Sequence, residues 1–194
     1  ALVAKIPIAH IAGGDTTEGS FDEALRHGIT KMSHLHFVTN EASARRVRQL
    51  GENPQRIYNF GSPGIDYIRR LDLLSRDQLE KELGLRFNVR NILVTLHPAT
   101  LDAQAPEIQF QALLGALEKL APKKYLLIFT RPNADAGGRI LIRMIDQFVA
   151  DHANALVYTS LGQRLYLSLL NEVDVIVGNS SSGLYEAPSF GIPT

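Results

Sequence analysis

The chain has 194 residues, 45% hydrophobic and 21% charged, the proportions of an ordinary globular protein of one domain or slightly more. Its 20 basic and 20 acidic side chains cancel, so no global field draws it to nucleic acid or to an anionic membrane, and an anionic ligand is to be held by local donors. Having no cysteine, it has no disulfide, thiol nucleophile or thiolate metal site; it also lacks a signal-peptide pattern or a membrane-length apolar run, and a cytoplasmic location is expected.

In chain order, residues 1–4 read as the tail of a helix. Strands are expected at 7–12, 35–39, 57–61, 91–96, 125–130, 155–159 and 173–178, and helices at 21–32, 41–51, 64–71, 76–83, 106–121, 138–151, 162–171 and 182–190. Alternation of this kind predicts an α/β fold with parallel sheets and helices on both faces. The runs at 91–96 and 173–178 are nearly all apolar, as strands covered on two faces are. Ser20-x-x-Glu23 and Ser75-x-x-Gln78 are capping-box patterns. A division into residues 1–75 and 76–194 is expected, with a helical connector before the polar RFNVR at 86–90. The final GIPT looks like a new strand about to begin, so the chain is expected to be a piece of a larger protein, cut at both ends.

Ligands of open α/β sheets bind at the carboxyl ends of strands, and four polar clusters fall there. In GNSSSGLYE, residues 178–186, backbone N–H groups and the hydroxyls of Ser180, Ser181 and Ser182 can wrap a phosphate at a helix start, and Glu186 suits a pair of ribose hydroxyls. Plain helix capping would need fewer serines. His97 follows a strand and precedes Pro98, which holds it extended at the sheet edge, able to donate to a phosphate or to be an ordinary surface histidine. In TRPNADAGG, residues 130–138, Asn133 and Asp135 suit ligand hydroxyls, while Pro-Asn and Gly-Gly also serve turns.

The fourth cluster, residues 10–37, packs a glycine pair, four carboxylates, an arginine and four histidines between a strand and a helix. Asp15 follows Gly13-Gly14, where backbone can approach a ligand closely. Asp22 and Glu23 are consecutive on a helix; Asp22 is also placed for an i,i+4 ion pair with Arg26, and Glu23 for the capping box with Ser20. Three carboxylates near one loop are what acid/base work at a C–H or C–O bond needs, because crowding lets one donate while another accepts. His34 and His36 alternate on a strand edge without a third metal ligand, so they read as packing, and no metal or cofactor is expected. Arg45, Arg46 and Arg48 read as a solvated basic helix face, since a nucleic-acid site would add aromatic platforms.

Taken together, residues 10–31, RIYNFGSPGID (56–66), His97-Pro98, PNADAG (132–137) and 178–188 resemble the UDP-N-acetylglucosamine 2-epimerase family, and most nearly its hydrolysing, sialic-acid-pathway branch. The resemblance implies a glycosyltransferase-B-like architecture, two Rossmann-like parallel-sheet domains with the nucleotide in a cleft. It implies that Ser180, Ser181 and Glu186 hold diphosphate and ribose, that His97 contacts the phosphates, that Asn133 belongs to the sugar-nucleotide pocket, and that Leu161 offers a backbone contact to uracil. Asp22 and Glu23 match the paired acids of the catalytic helix, with Arg26 beside them. The implied reaction removes the C2 proton, expels UDP from C1 to give a glycal, and adds water with inversion at C2, releasing N-acetylmannosamine. Many members carry an acid where this chain has Ala12, so either Asp15 or Glu18 covers that role or the sugar differs, for example a diacetamido-trideoxy sugar. The partners implied are a UDP-sugar and further copies of the chain, as a dimer or tetramer, and the piece alone is expected to be inactive. The alternatives are a non-hydrolysing epimerase, a glycosyltransferase of the same fold, which would need an acceptor, and a nucleotide-sugar sensor, which would bind without turnover.

Overall fold

The computed structural model describes residues 1–17, 21–98, 105–120, 124–132 and 138–194. The chain forms two compact units, Ala1–Asp66 and Tyr67–Thr194. In the first, strands β1 (Ala9–Ile11), β2 (Leu35–Val38) and β3 (Ile57–Asn59) form a parallel sheet in that order, with His10 beside His36 and His36 beside Ile57. The crossovers are α1 (Asp22–Met32) and α2 (Glu41–Gln49). Asn40 starts α2 by accepting the Ser43 N–H at 2.9 Å, and its buried stripe of Ser43, Ala44 and Val47 packs beneath Val38. Helix α3 (Pro63–Arg70) runs across the division between the units.

The second unit begins with α4 (Arg76–Leu83), where both hydrogen bonds of the Ser75/Gln78 capping box are present and Gly84 ends the helix at φ 62°. Its parallel sheet has the order β6 (Ala155–Tyr158), β5 (Tyr125–Thr130), β4 (Arg90–Thr95), β7 (Val175–Gly178). All seven strands, and every expected helix except that over residues 182–190, match the sequence reading within a few residues at their ends. Residues 91–95 of β4 are all buried, which is why that stretch reads as a continuous apolar run. Helix α6 (Gly138–Asp151) lays Leu141, Ile145 and Phe148 on the sheet, with Phe148 edge-on to Phe129 at 5.5 Å between centroids. Helices α5 (Pro106–Leu117) and α7 (Gly162–Glu172) complete the cover.

Two sequence expectations change, and a third falls partly outside the described residues. The helix expected over residues 182–190 is a four-residue α8 (Ser182–Tyr185) followed by a 3-10 turn (Ala187–Phe190). Pro188 has no N–H to give to the carbonyl four residues back, so the α-helix cannot continue through it. Residues 1–4 form a turn in which Lys5, at φ 56°, and Ile6 bond back to Leu2 and Ala1 in the pattern of a helix end. The Ser20 half of the first capping box lies outside the described residues, and Phe21, at the N-cap of α1, makes no side-chain cap. Among the described residues, no helix is long and apolar enough to cross a membrane.

Candidate functional site

In the second unit the carboxyl ends of β4, β5 and β7 come together around a cavity of about 390 Å³. Its floor is set by Thr95 and Thr130, whose hydroxyls are hydrogen-bonded across the two strands. At the end of β7 the backbone turns sharply against β4: Gly178 takes φ 143°, and a Cβ there would stand 2.6 Å from the Thr95 carbonyl carbon. Only glycine fits that approach. Asn179 follows, its N–H donating to the Thr95 carbonyl at 3.2 Å. Its amide then clamps residue 97 as a strand would: Oδ1 accepts the His97 N–H at 2.7 Å and Nδ2 donates to the His97 carbonyl at 2.8 Å. The loop carrying His97 is thereby tied to the loop carrying the serines.

The serines differ from one another. Ser180 Oγ accepts the Ser182 N–H at 3.4 Å, and the carbonyls of Ser180 and Ser181 accept from Gly183, Leu184 and Tyr185 in the turn of α8. Ser182 is buried and accepts the phenol proton of Tyr166, on α7, at 2.6 Å. Accepting that proton leaves the Ser182 hydroxyl proton available to a ligand oxygen. Burial, opposed by the Ser182 bond and helped by the charge of Glu186, pushes the Tyr166 phenol above its usual range, so it stays a donor. Glu186 and Leu161 line the same cavity. Of the residues singled out from sequence, His97, Leu161, Ser180, Ser181 and Glu186 thus face one space; Asn133 and Asp135 lie outside the described residues. Because α8 has only four residues, donors here are hydroxyls and loop N–H groups more than a helix dipole.

In the first unit the loop after β1 is stapled from three sides. Arg26, on α1, donates to the Asp15 carbonyl at 3.0 Å and to the Thr17 hydroxyl at 3.2 Å. Arg46, on α2, donates to the Gly14 carbonyl, so the basic face expected to be solvated gives one half-buried arginine to the loop. Arg48 pairs with Glu41 at 3.0 Å on the surface. Asp15 turns Oδ1 toward Thr39 Oγ1 at 2.7 Å and Ser43 Oγ at 2.6 Å. Ala12 holds φ 62°, a conformation that costs a non-glycine residue about 1–2 kcal/mol and marks a tightly constrained loop. Asp22 and Glu23 open α1, with Glu23 Oε1 3.5 Å from His27 Nε2.

His34 and His36 do not act as a pair. His34 precedes β2 and its Nδ1 accepts the Ile8 N–H at 3.2 Å, whereas His36 is buried with Nε2 3.2 Å from Glu52 Oε2. Burial pushes Glu52 up, but hydrogen bonding and charge from Lys31, together with His36, outweigh it and hold the carboxyl below its usual range. Among the described residues no group of three metal-capable side chains gathers. The groups that sequence reasoning missed are Asn179, Tyr166, Arg46 and the His10–Thr30 contact. All act through partners distant in sequence, and only the placement of Asn179 just after a strand was available as a signal.

The family described as UDP-N-acetylglucosamine 2-epimerase matches residues 1–194. The chain is 37% identical over 193 residues to the GDP/UDP-N,N'-diacetylbacillosamine 2-epimerase (hydrolyzing) of Campylobacter jejuni, covering 99% of this chain and 50% of that protein. It is 36% identical over 190 residues to the polysialic acid biosynthesis protein P7 of Escherichia coli, covering 98% and 48%. The chain therefore spans about half the length of these curated relatives. The crystal structure of the Neisseria meningitidis UDP-GlcNAc 2-epimerase bound to UDP-GlcNAc superposes with a TM-score of 0.80 at 20% identity, over 99% of this chain and 53% of that one. At that identity the likeness is one of fold, and it places the chain in the α/β, glycosyltransferase-B-like class. Matched along its whole length, the chain belongs to the UDP-N-acetylglucosamine 2-epimerase family.

Proposed function

We propose that the protein carrying this chain is a hydrolysing 2-epimerase of a UDP-2-acetamido sugar, UDP-N-acetylglucosamine in the first reading, releasing UDP and N-acetylmannosamine. The observation that carries it is the gathering of Ser180, Ser181, Ser182, His97 and Glu186 around one cavity at the ends of three parallel strands. In this reading the serine loop and His97 hold the diphosphate, Glu186 accepts from the ribose hydroxyls, the Leu161 backbone meets uracil, and Asn133 belongs to the same pocket. Asp15, Asp22 and Glu23 of the first unit handle the C2 proton, with Arg26 fixing the loop that carries Asp15. The C2–H bond breaks, its electrons form the C1=C2 bond, and the C1–O bond to UDP breaks. Water then gives its oxygen to C1, and a proton returns to C2 on the opposite face. Donors aimed at the diphosphate serve the step in which its charge grows.

A second reading, a diacetamido-trideoxy sugar, is favoured by the name of the Campylobacter relative and by Ala12 standing where many members of the family carry an acid. Incubation with each UDP-sugar, following free UDP and the released sugar, separates the two. In D₂O the released sugar is expected to carry deuterium at C2, and unlabelled product would overturn the elimination route. A requirement for an acceptor would identify a transferase, and binding without turnover a sensor. Light scattering tests the proposed association into a dimer or tetramer.

A further inference from the structure

Among the proton-handling groups of the first unit to which the proposed reaction gives no role is His10. His10 sits on β1 with its imidazole half-buried and Nδ1 3.1 Å from the hydroxyl of Thr30. That hydroxyl lies 3.0 Å from the Arg26 carbonyl, one turn earlier on α1, and points its single proton there. Thr30 is fully buried, so the bond is not exchanged for water. With its proton spent, Thr30 can only accept from Nδ1, which makes Nδ1 the protonated nitrogen and Nε2 the lone pair. Space is kept for the contact: a Cβ on Gly13 would stand 2.8 Å from Nδ1 and 3.2 Å from Thr30 Oγ1, wedging the two apart.

We propose that His10 is the base of the hydration half-reaction, an imidazole whose tautomer Thr30 fixes so that Nε2 takes the proton of the attacking water. A base must gain and lose a proton without losing its place, and here Nδ1–H donates to Thr30 in both protonation states. The charged groups that bear on the ring are Arg26 on α1 and His36 on β2. Burial first, then the charges of His36 and Arg26, push the imidazole below its usual value, so it is in the accepting form at neutral pH. The step balances: a carboxylic acid gives its proton to C2, the water oxygen bonds to C1, the water proton passes to Nε2, and solvent returns it to the carboxylate.

The inference rests on the 2-epimerase reading, and its test separates the two. His10→Asn keeps a donor near the Nδ1 position and removes Nε2. The expected result in the protein carrying this chain is an unchanged melting temperature, continued release of UDP, and hydration slowed about 100-fold, so that free 2-acetamidoglycal accumulates in place of the 2-epimeric sugar. UDP and sugar release falling in equal proportion, or neither falling, would overturn the proposal. Should His10→Asn fail to fold, Thr30→Val and Thr30→Ser replace it: the glycal is expected with valine and the normal sugar with serine, and identical products would count against the role. ¹⁵N NMR of histidine-labelled wild-type protein reads the tautomer directly, and a protonated Nε2 with bare Nδ1 at neutral pH would overturn it whatever the substrate. No UDP release by the wild type from any UDP-sugar would overturn the epimerase reading, and this proposal with it.

Discussion

Replacing Gly178 with alanine tests how the cavity at the ends of β4, β5 and β7 is assembled. A Cβ at this position meets the Thr95 carbonyl carbon at 2.6 Å, and the obstacle is main chain, not the tip of a flexible side chain. β4 lies between β5 and β7 and is hydrogen-bonded on both sides, so it cannot yield without breaking ladder bonds. At φ 143° alanine also carries backbone strain of about 1–2 kcal/mol. Overpacking adds about 1–3 kcal/mol, and displacing the bond from Asn179 N–H to Thr95 removes about 1 kcal/mol more. The expected loss is about 3–6 kcal/mol, a large share of the roughly 5–15 kcal/mol typical of a folded protein. Gly84 supplies the control: its φ is also positive, 62°, yet nothing lies within 4 Å of an added Cβ, so Gly84→Ala should cost only the strain of about 1–2 kcal/mol. Urea denaturation followed by circular dichroism measures both. Equal losses in the two variants would refute the argument that close approach to β4, and not φ alone, demands glycine at 178.

Three further outcomes follow from particular contacts. Tyr166→Phe removes the donor to the buried Ser182 hydroxyl and should weaken UDP binding about 5- to 10-fold by calorimetry, the worth of roughly 1 kcal/mol. Asn179→Ala frees the His97 loop from both amide bonds, and is expected to raise the KM for the UDP-sugar more than it lowers melting temperature; a purely structural loss would move melting alone. Burial raises Asp174, but the Arg90 hydrogen bond at 2.6 Å and the Asn91 N–H at 2.8 Å outweigh it and hold the carboxyl below its usual value of 3.8. That stabilisation is present above pH 3.8 and is lost as pH falls through the lower folded value, so Asp174→Asn should flatten the acid limb of a stability profile.

How far the sequence disclosed all this depends on how local each cause is. The bounds of β5, α4 and α6 were legible because each follows from its own residues: an apolar run, a capping box, an apolar stripe at helical spacing. The break in α8 was legible in principle from Pro188 but was outweighed in reading by the helical pattern on either side. That the serines and Glu186 line one cavity was legible because a βα loop presents them together. Asn179 could not, since its partner is 82 residues away, nor could Arg46, which reaches back 32 residues to Gly14. The His10–Thr30 contact depends on β1 and α1 packing with glycine between them, and no periodicity encodes that.

The chemistry of the cavity carries one more consequence. UDP brings concentrated negative charge, yet no lysine or arginine lines the cavity among the described residues. Arg131, at the end of β5, directs its guanidinium to Asp146 and to the Thr159 hydroxyl. The 194 residues carry no net charge, so they supply no long-range field of their own. In the proposed reading, the donors this chain offers the diphosphate are hydroxyls, loop N–H groups and His97, which act over hydrogen-bond distances where mobile ions do not screen. UDP affinity is therefore expected to change less than about 3-fold between 0.05 and 0.5 M salt, a range over which the Debye length falls from roughly 14 Å to 4 Å. Calorimetric titrations across that range decide it. A steep decline with salt would place a cation against the diphosphate and remove the hydroxyl cradle from its central role.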